Sequence, residues 1–363
     1  MTRAKLVVVG NGMAGVRAVE EVLARGGDRK LEITMFGEGP YGHYSRKKLS
    51  EVLAGRQQES EIFINPLAGY PESSVAMHLG SPVTEVDRAS KVVFARNGTR
   101  ARYDILLIAT GSRSITPPLA GAYGCEGGLK SGVFAFRTLE DCRAIQRCAR
   151  SDRTAAVIGE GSTALEVAWG LANRGSSVHL VHPSAYLLGT KLDRRASEVL
   201  YARVMSRGAI VHLGSAVADI VGDDCVEGVV LENGISLACD MIVLAVGSRP
   251  NVEIAVRAGL AVELAIIVDS HMRSVDDHSI FAVGECAQQL GRVLGSVSPL
   301  WEQTQVFADY VTGSDPVGGI PIEGQPVNPT YVTCFQPRSI GPGPEAIANI
   351  RYECVPTWGQ ARR

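Results

Sequence analysis

Leu6-Val7-Val8-Val9-Gly10-Asn11-Gly12-Met13-Ala14-Gly15 is the stretch that decides the fold. The apolar run predicts a strand buried on both faces and the glycines a tight turn. The residues beyond predict an amphipathic helix, with Val16, Val19, Val22 and Leu23 set against Arg17, Glu20, Glu21 and Arg25. Strand, Gly-x-Gly-x-x-Gly and helix in that order form the signature of a dinucleotide-binding βαβ unit. The pattern returns at Ala155-Ala156-Val157-Ile158-Gly159-Glu160-Gly161-Ser162-Thr163-Ala164, where the helix continues through Leu165, Ala168 and Leu171. A second repeat supports the first: Asp104-Ile-Leu-Leu-Ile-Ala109-Thr110-Gly111-Ser112-Arg113 matches Asp240-Met-Ile-Val-Leu-Ala245-Val246-Gly247-Ser248-Arg249 in Asp, Ala, Gly, Ser and Arg. Before each lies an Asn-Gly pair, Asn97-Gly98 and Asn233-Gly234, which predicts a two-residue type I′ hairpin. Each half therefore reads as a βαβ unit, a small antiparallel meander and a returning strand.

In such a unit Gly10 permits the tight turn, Gly12 lets the backbone approach a pyrophosphate, and Gly15 lets helix and strand pack closely. The phosphates rest on the helix N-terminus, where free N–H groups favour negative charge. The second strand, Leu31 to Phe36, delivers Glu38, a carboxylate able to accept both hydroxyls of an adenosine ribose. In the second unit Gly159 and Gly161 keep their positions and Ala164 stands third, which the motif tolerates. Glu160 puts a carboxylate inside the phosphate turn, and after the strand from Ser177 to Val181 comes His182 rather than an acid. NADH and NADPH are not separated by these residues.

The rest of the chain sets bounds. Its 363 residues are 45% hydrophobic and 20% charged, with 36 Lys+Arg against 38 Asp+Glu, so there is room for two or three domains and no basic footprint for nucleic acid. No apolar stretch approaches the ~20 residues of a membrane span, and the expected location is the cytoplasm. The eight cysteines include no Cys-x-x-Cys, so neither a metal cage nor a dithiol centre is signalled.

With Gly10-Asn-Gly-Met-Ala-Gly15, Ala109-Thr-Gly111, Gly159-Glu-Gly-Ser-Thr-Ala164 and Ile280-Phe-Ala-Val-Gly284-Glu285-Cys286 in this order, the chain resembles the FAD- and NAD(P)H-dependent disulfide-reductase superfamily over residues 1 to about 315. Tyr44-Ser-Arg46-Lys-Lys-Leu49-Ser50, Val133-Phe-Ala-Phe-Arg-Thr-Leu-Glu-Asp141, Ala282-Val-Gly-Glu-Cys-Ala287 and Ser298-Pro-Leu-Trp301-Glu-Gln303 bring the resemblance nearest to the N-terminal flavin module of the NAD(P)H nitrite reductase large subunit. The resemblance implies an α/β protein of two Rossmann-like folds: a discontinuous FAD domain, 1–115 and 263–318, enclosing an NAD(P)H domain, 116–262. The interface domain is curtailed to 319–363, where a truncated or frame-altered end and poor order are expected.

On that resemblance, Gly10, Gly12, Met13, Ala14, Gly15, Glu38, Arg46, Val83, Ala109, Thr110 and Gly111 would surround FAD. Gly284 and Glu285 would close its site, Glu285 accepting from the ribityl chain or polarising a helix start there, and the helix beginning near Trp301 would aim N–H groups at the flavin. Gly159, Gly161, Ala164, Val246 and Gly247 would hold NADH or NADPH, and Glu166 would help place the nicotinamide. Related reductases often carry a Lys after the Leu-Ser that pairs with this glutamate. Here the position is Glu51, leaving Lys47 or Lys48 as substitutes.

The implied activity is hydride transfer from NAD(P)H to flavin. Electrons would then pass to a separate iron–sulfur or sirohaem protein, in nitrite reduction within nitrogen assimilation. A rubredoxin or ferredoxin reductase and a non-catalytic flavin-binding module are the alternatives, and a homodimer is left open.

Overall fold

The computed structural model describes residues 3–313, apart from 66, 68–70, 72, 73 and 296. The expected remnant at 319–363, and residues 314–318 of the expected first domain, lie outside the described residues.

The first half runs β1 (Ala4–Val9), α1 (Met13–Ala24), β2 (Leu31–Phe36), α2 (Leu49–Leu53), β3 (Val75–His78), β4 (Val83–Asp87), β5 (Val92–Ala95), β6 (Arg100–Arg102), β7 (Ile105–Ile108) and β8 (Ser112–Ser114). The second runs β9 (Val133–Ala135), α3 (Leu139–Cys148), β10 (Thr154–Ile158), α4 (Ser162–Asn173), β11 (Ser177–His182), α5 (Arg194–Met205), β12 (Ala209–Leu213), β13 (Val217–Val221), β14 (Gly228–Leu231), β15 (Ser236–Ala238), β16 (Met241–Leu244) and β17 (Ser248–Pro250). The chain then re-enters the first half through α6 (Glu253–Arg257), β18 (Ile266–Ile267), β19 (Ile280–Ala282), β20 (Ala287–Gln289), β21 (Arg292–Val293) and α7 (Val297–Thr312).

Each half is built on a five-stranded parallel sheet, ordered β19-β7-β1-β2-β3 in the first and β12-β11-β10-β16-β9 in the second. Central strands lie between layers, which is why β1 and β10 read as unbroken apolar runs: Leu6, Val7 and Val8, like Ala155, Ala156 and Val157, are essentially inaccessible to solvent. The returning strands β7 and β16 take the places beside them, and the repeated aspartates fix the register. Asp104 Oδ2 accepts from Lys5 N at 2.7 Å and Asp240 Oδ2 from Thr154 N at 2.8 Å.

The meanders β4-β5-β6 and β13-β14-β15 form as expected, but their turns differ from the two-residue hairpin. Gly98 and Gly234 each have φ +85° while Asn97 and Asn233 do not enter the left-handed region, so type I′ geometry, which needs both, is excluded. Ala95 N donates to Thr99 O and Leu231 N to Ile235 O, both at 2.8 Å, closing three-residue loops with glycine last. The asparagine side chains explain the choice. Asn97 Oδ1 accepts from Thr99 N while its Nδ2 donates to Ser81 Oγ, and Asn233 does the same with Ile235 N and Ser215 Oγ.

Three cores result. One lies in the first half, one on the helical side of the second sheet, and one between that sheet and its meander. Ile254, Ala255 and Leu260 belong to the first, so the chain is back in the first half by α6, ahead of the expected 262/263 boundary. Leu49, Val52 and Leu53 of α2 lie instead in the second core, against α4. The halves are also joined by β8 and β17, the two Gly-Ser-Arg segments, which pair antiparallel with Arg113 opposite Arg249.

Candidate functional site

The first glycine turn is forced by close approach. Gly10 has φ +117°, and a Cβ there would lie 2.2 Å from Ala109 O; one on Gly15 would lie 1.9 Å from Gly10 O. Gly12 is different. It caps α1 in extended conformation (φ −75°, ψ −170°), and a Cβ added to it meets no atom within 4 Å. The start of α1, with Met13 and Ala14, thus opens on a cradle where helix N–H groups gather. Asn11 Nδ2 donates to Tyr41 O at 2.9 Å and its side chain lies over Gly37. Exposed Glu38 follows at the end of β2, and Ser81 N donates to Gly37 O at 2.8 Å, bringing the turn before buried Val83 to the same edge.

Across the cradle, Ala109-Thr110-Gly111 leaves β7. Thr110 Oγ1 donates to Asn251 O at 2.7 Å, Asn251 Nδ2 to Thr110 O at 3.0 Å, and Asn251 N to Gly111 O at 2.9 Å, so the outgoing and returning crossings are tied together. Gly284 (φ +81°) sits against Ala14 and donates its N–H to Gln303 Oε1 of α7 at 2.7 Å. That helix begins at Val297, a turn before Trp301, so the free N–H groups precede the tryptophan rather than coincide with it. Trp301 is half-buried with the Arg17 guanidinium 5.4 Å from its ring.

Glu285 is ion-paired to Arg137 and accepts from Ser112 Oγ, and Arg137 Nε donates to Ser112 O at 2.7 Å. Burial lowers the Arg137 pKa from its ordinary value, and the charge of Arg46 lowers it further. Two guanidinium groups close enough for one charge to act on the other, with the Glu285 carboxylate ion-paired to Arg137, suit a site that receives an anion. His43 Nδ1 is buried with no partner, and burial also depresses the pKa of that imidazole. Open space at Gly12, paired arginines and an orphaned imidazole nitrogen are features that fit a dinucleotide diphosphate.

The second turn reproduces the first. Gly159 (φ +155°) would place a Cβ 2.3 Å from Ala245 O, whereas Gly161 caps α4 in extended conformation with open space before it. Ala164 is fully buried, its methyl filling the third-glycine position. Val246 and Gly247 (φ +113°) follow β16 as Thr110 and Gly111 follow β7. His182 ends β11 as its last residue rather than following it, and Glu160 is exposed.

Glu166 stands on α4 where α2 crosses it. Gly170 allows the approach, since a Cβ there would meet Leu53 at 3.2 Å, and Asn173 Nδ2 donates to Ala54 O at 2.8 Å. Although Glu166 borders open space, burial of its carboxyl raises its pKa; a hydrogen bond from Ser50 opposes this and the charge of Glu51 adds to it. Lys47 and Lys48 are exposed, and neither is ion-paired with Glu166 among the described residues. Both lie in the 3-10 turn before α2, and on the helix it is Ser50, by a hydrogen bond, and Glu51, by its charge alone, that act on the Glu166 carboxyl.

Sequence reasoning did not single out Arg137, Asn251, Ser50 or His43. Arg137 and Ser50 stand inside quoted runs, so their signal is present. Asn251 and His43 carry none, because their roles depend on contacts across the fold. Among the described residues no His, Cys, Asp and Glu group is arranged to hold a metal, and no helix is long and apolar enough to cross a membrane.

Two matching glycine turns, each closed by a matching strand end, are the arrangement expected of a nucleotide-dependent oxidoreductase. The chain belongs to the pyridine nucleotide-disulphide oxidoreductase family, whose model matches residues 4–306 and whose cofactors are FAD and NAD(P)H. It is 38% identical over 313 residues to nitrite reductase [NAD(P)H] of Bacillus subtilis (strain 168), covering 86% of this chain but 38% of that protein. It is 31% identical over 284 residues to rubredoxin-NAD(+) reductase of Ectopseudomonas oleovorans, covering 78% of this chain and 71% of that one. The crystal structure of the covalent putidaredoxin reductase–putidaredoxin complex superimposes with a TM-score of 0.79 at 28% identity, covering 86% of this chain and 76% of that chain.

Proposed function

We propose that this chain accepts a hydride from NAD(P)H at the second cradle and delivers electrons, through FAD at the first, to a separate protein carrying an iron–sulfur or sirohaem centre, in nitrite reduction. The repeated cradle carries the reading: Gly10 and Gly159 approach Ala109 O and Ala245 O alike, and Gly12 and Gly161 both face open space. FAD, when bound, supplies the exchange between a two-electron donor and one-electron acceptors. Gly10, Gly12 and Gly15, with Arg46 and Arg137, would hold the diphosphate, Glu38 the ribose, and Thr110, Gly111, Gly284 and Glu285 the chain beyond it. Gly159, Gly161, Ala164, Val246 and Gly247 would hold the donor. Glu166, its proton affinity raised by burial and Glu51, would position the donor ring, while Ser50 fixes the carboxyl.

No Cys-x-x-Cys is present in these 363 residues, so within them no dithiol pair of that kind receives the electrons. Similarity to a rubredoxin-NAD(+) reductase over 71% of that protein's length favours a second reading, a reductase of rubredoxin or ferredoxin type. Stopped-flow reoxidation of the reduced protein separates the two. Faster reoxidation by a sirohaem nitrite-reductase core than by rubredoxin supports the first, and the reverse order replaces it with the second.

A further inference from the structure

The place where a dinucleotide fold usually carries its ribose-binding acid, the end of the second strand, is His182. That side chain is 1% exposed, its Nδ1 lies 3.0 Å from Ser184 O, and its Nε2 is buried without a partner. It is committed to the strand end and presents nothing to a hydroxyl. A carboxylate reaches the same place from the other side. Glu160, between Gly159 and Gly161, accepts from Ser184 Oγ through Oε2 at 3.0 Å. Ser184 is itself anchored, because Gly214 N donates to its carbonyl at 3.1 Å, the carbonyl that also faces His182. Glu160 is thus braced from the phosphate turn of β10 to the loop after β11, the two elements between which the adenosine ribose lies in this fold. Glu160 is otherwise exposed, so its carboxylate keeps an open side. Arg194, the first arginine after the strand, is paired with Glu198 and set over the Tyr186 ring.

We propose that Glu160 is the acceptor for the adenosine 2′-hydroxyl, displaced from the strand end into the glycine turn, and that the second cradle takes NADH and rejects NADPH. The carboxylate gains a hydrogen bond from a free 2′-hydroxyl and opposes a 2′-phosphate, so one residue supplies both the attraction and the exclusion. Ser184 is a positioning residue, holding Glu160 over the strand end. The inference rests on the reading of the second cradle as the nicotinamide site.

Calorimetric titration of the flavin-loaded protein with ADP-ribose and with its 2′-phosphate tests it without turnover. The protein is expected to bind ADP-ribose tighter by about tenfold or more. Glu160→Gln, which keeps the shape and removes the charge, is expected to bring the two within about threefold. Ser184→Ala is expected to narrow the ratio less, since the charge remains. Equal affinities in the unaltered protein, or a ratio that Glu160→Gln leaves unchanged, overturn the assignment of Glu160 alone. Binding of neither nucleotide overturns the nicotinamide site itself.

Discussion

Gly10 and Gly12 stand two residues apart in one turn, and alanine at each should fail in a different way. At Gly10 the backbone has φ +117°, and the new methyl would lie 2.2 Å from Ala109 O and 2.7 Å from Ala109 C. Both obstacles are backbone of β7's exit, so a flexible side chain cannot swing aside. Strain at such a φ costs about 1–3 kcal/mol and overpacking a similar amount, so Gly10→Ala should lose about 3 kcal/mol or more. For units of this size that is a fall of about 6 °C or more in melting temperature. At Gly12 the backbone is ordinary extended chain with nothing within 4 Å. A weaker helix cap costs about 0.5 kcal/mol, and reduced freedom of the unfolded chain offsets it, leaving flavin-free stability unchanged within ~0.5 kcal/mol. The methyl would stand where the diphosphate approaches, so flavin retention should drop while stability holds. Thermal melts of deflavinated protein, paired with fluorimetric titration by FAD, measure both quantities. Equal destabilisation by the two substitutions, or full flavin affinity in Gly12→Ala, would refute this account of the cradle.

The remaining predictions concern charge. Arg137→Ala should destabilise by about 1–3 kcal/mol, since it leaves a half-buried carboxylate with only a hydroxyl, and Arg137→Ala with Glu285→Gln should recover part of that in denaturant unfolding. Glu166 has a raised pKa when folded, so its ionisation opposes folding above the ordinary carboxylate range; Glu166→Gln should raise the melting temperature at neutral pH and lose the benefit as pH falls below about 4.5. His179 and His212, whose rings meet at 3.0 Å across β11 and β12, both have pKa values lowered by burial. Folding therefore favours their neutral forms, and stability should fall as pH drops below about 6.5; His212→Asn should blunt that slope in melts from pH 8 to 5.

How far the fold could be read from the chain depended on the range of the interactions. β2 and the glycine turns were legible because buried parallel strands and close helix packing leave marks within a few residues, and the repeated Asp104 and Asp240 marked the returning strands. The hairpins at Asn97 and Asn233 were misread because their conformation is chosen by Ser81 and Ser215, some sixteen and eighteen residues away. The early return of α6 was hidden for the same reason, since Ile254 and Ala255 are apolar in either domain and only the packing assigns them. In the site, the glycines announced themselves, whereas the partners of Glu285, Glu160 and Glu166 did not. Arg137, Ser184 and Ser50 meet those carboxylates only after both halves have folded and α2 has crossed onto α4.

The central claim is that two nucleotide sites in one chain exchange a hydride. Anaerobic addition of NADH to the purified yellow protein, followed near ~450 nm with the released cofactor identified after denaturation, tests it most directly. The account predicts FAD as the bound cofactor and its bleaching by about one equivalent of NADH. Protein that holds FAD but stays yellow with NADH and NADPH alike would contradict the hydride-transfer function, and protein that holds no flavin would contradict the reading of Gly10 to Glu38 on which it stands.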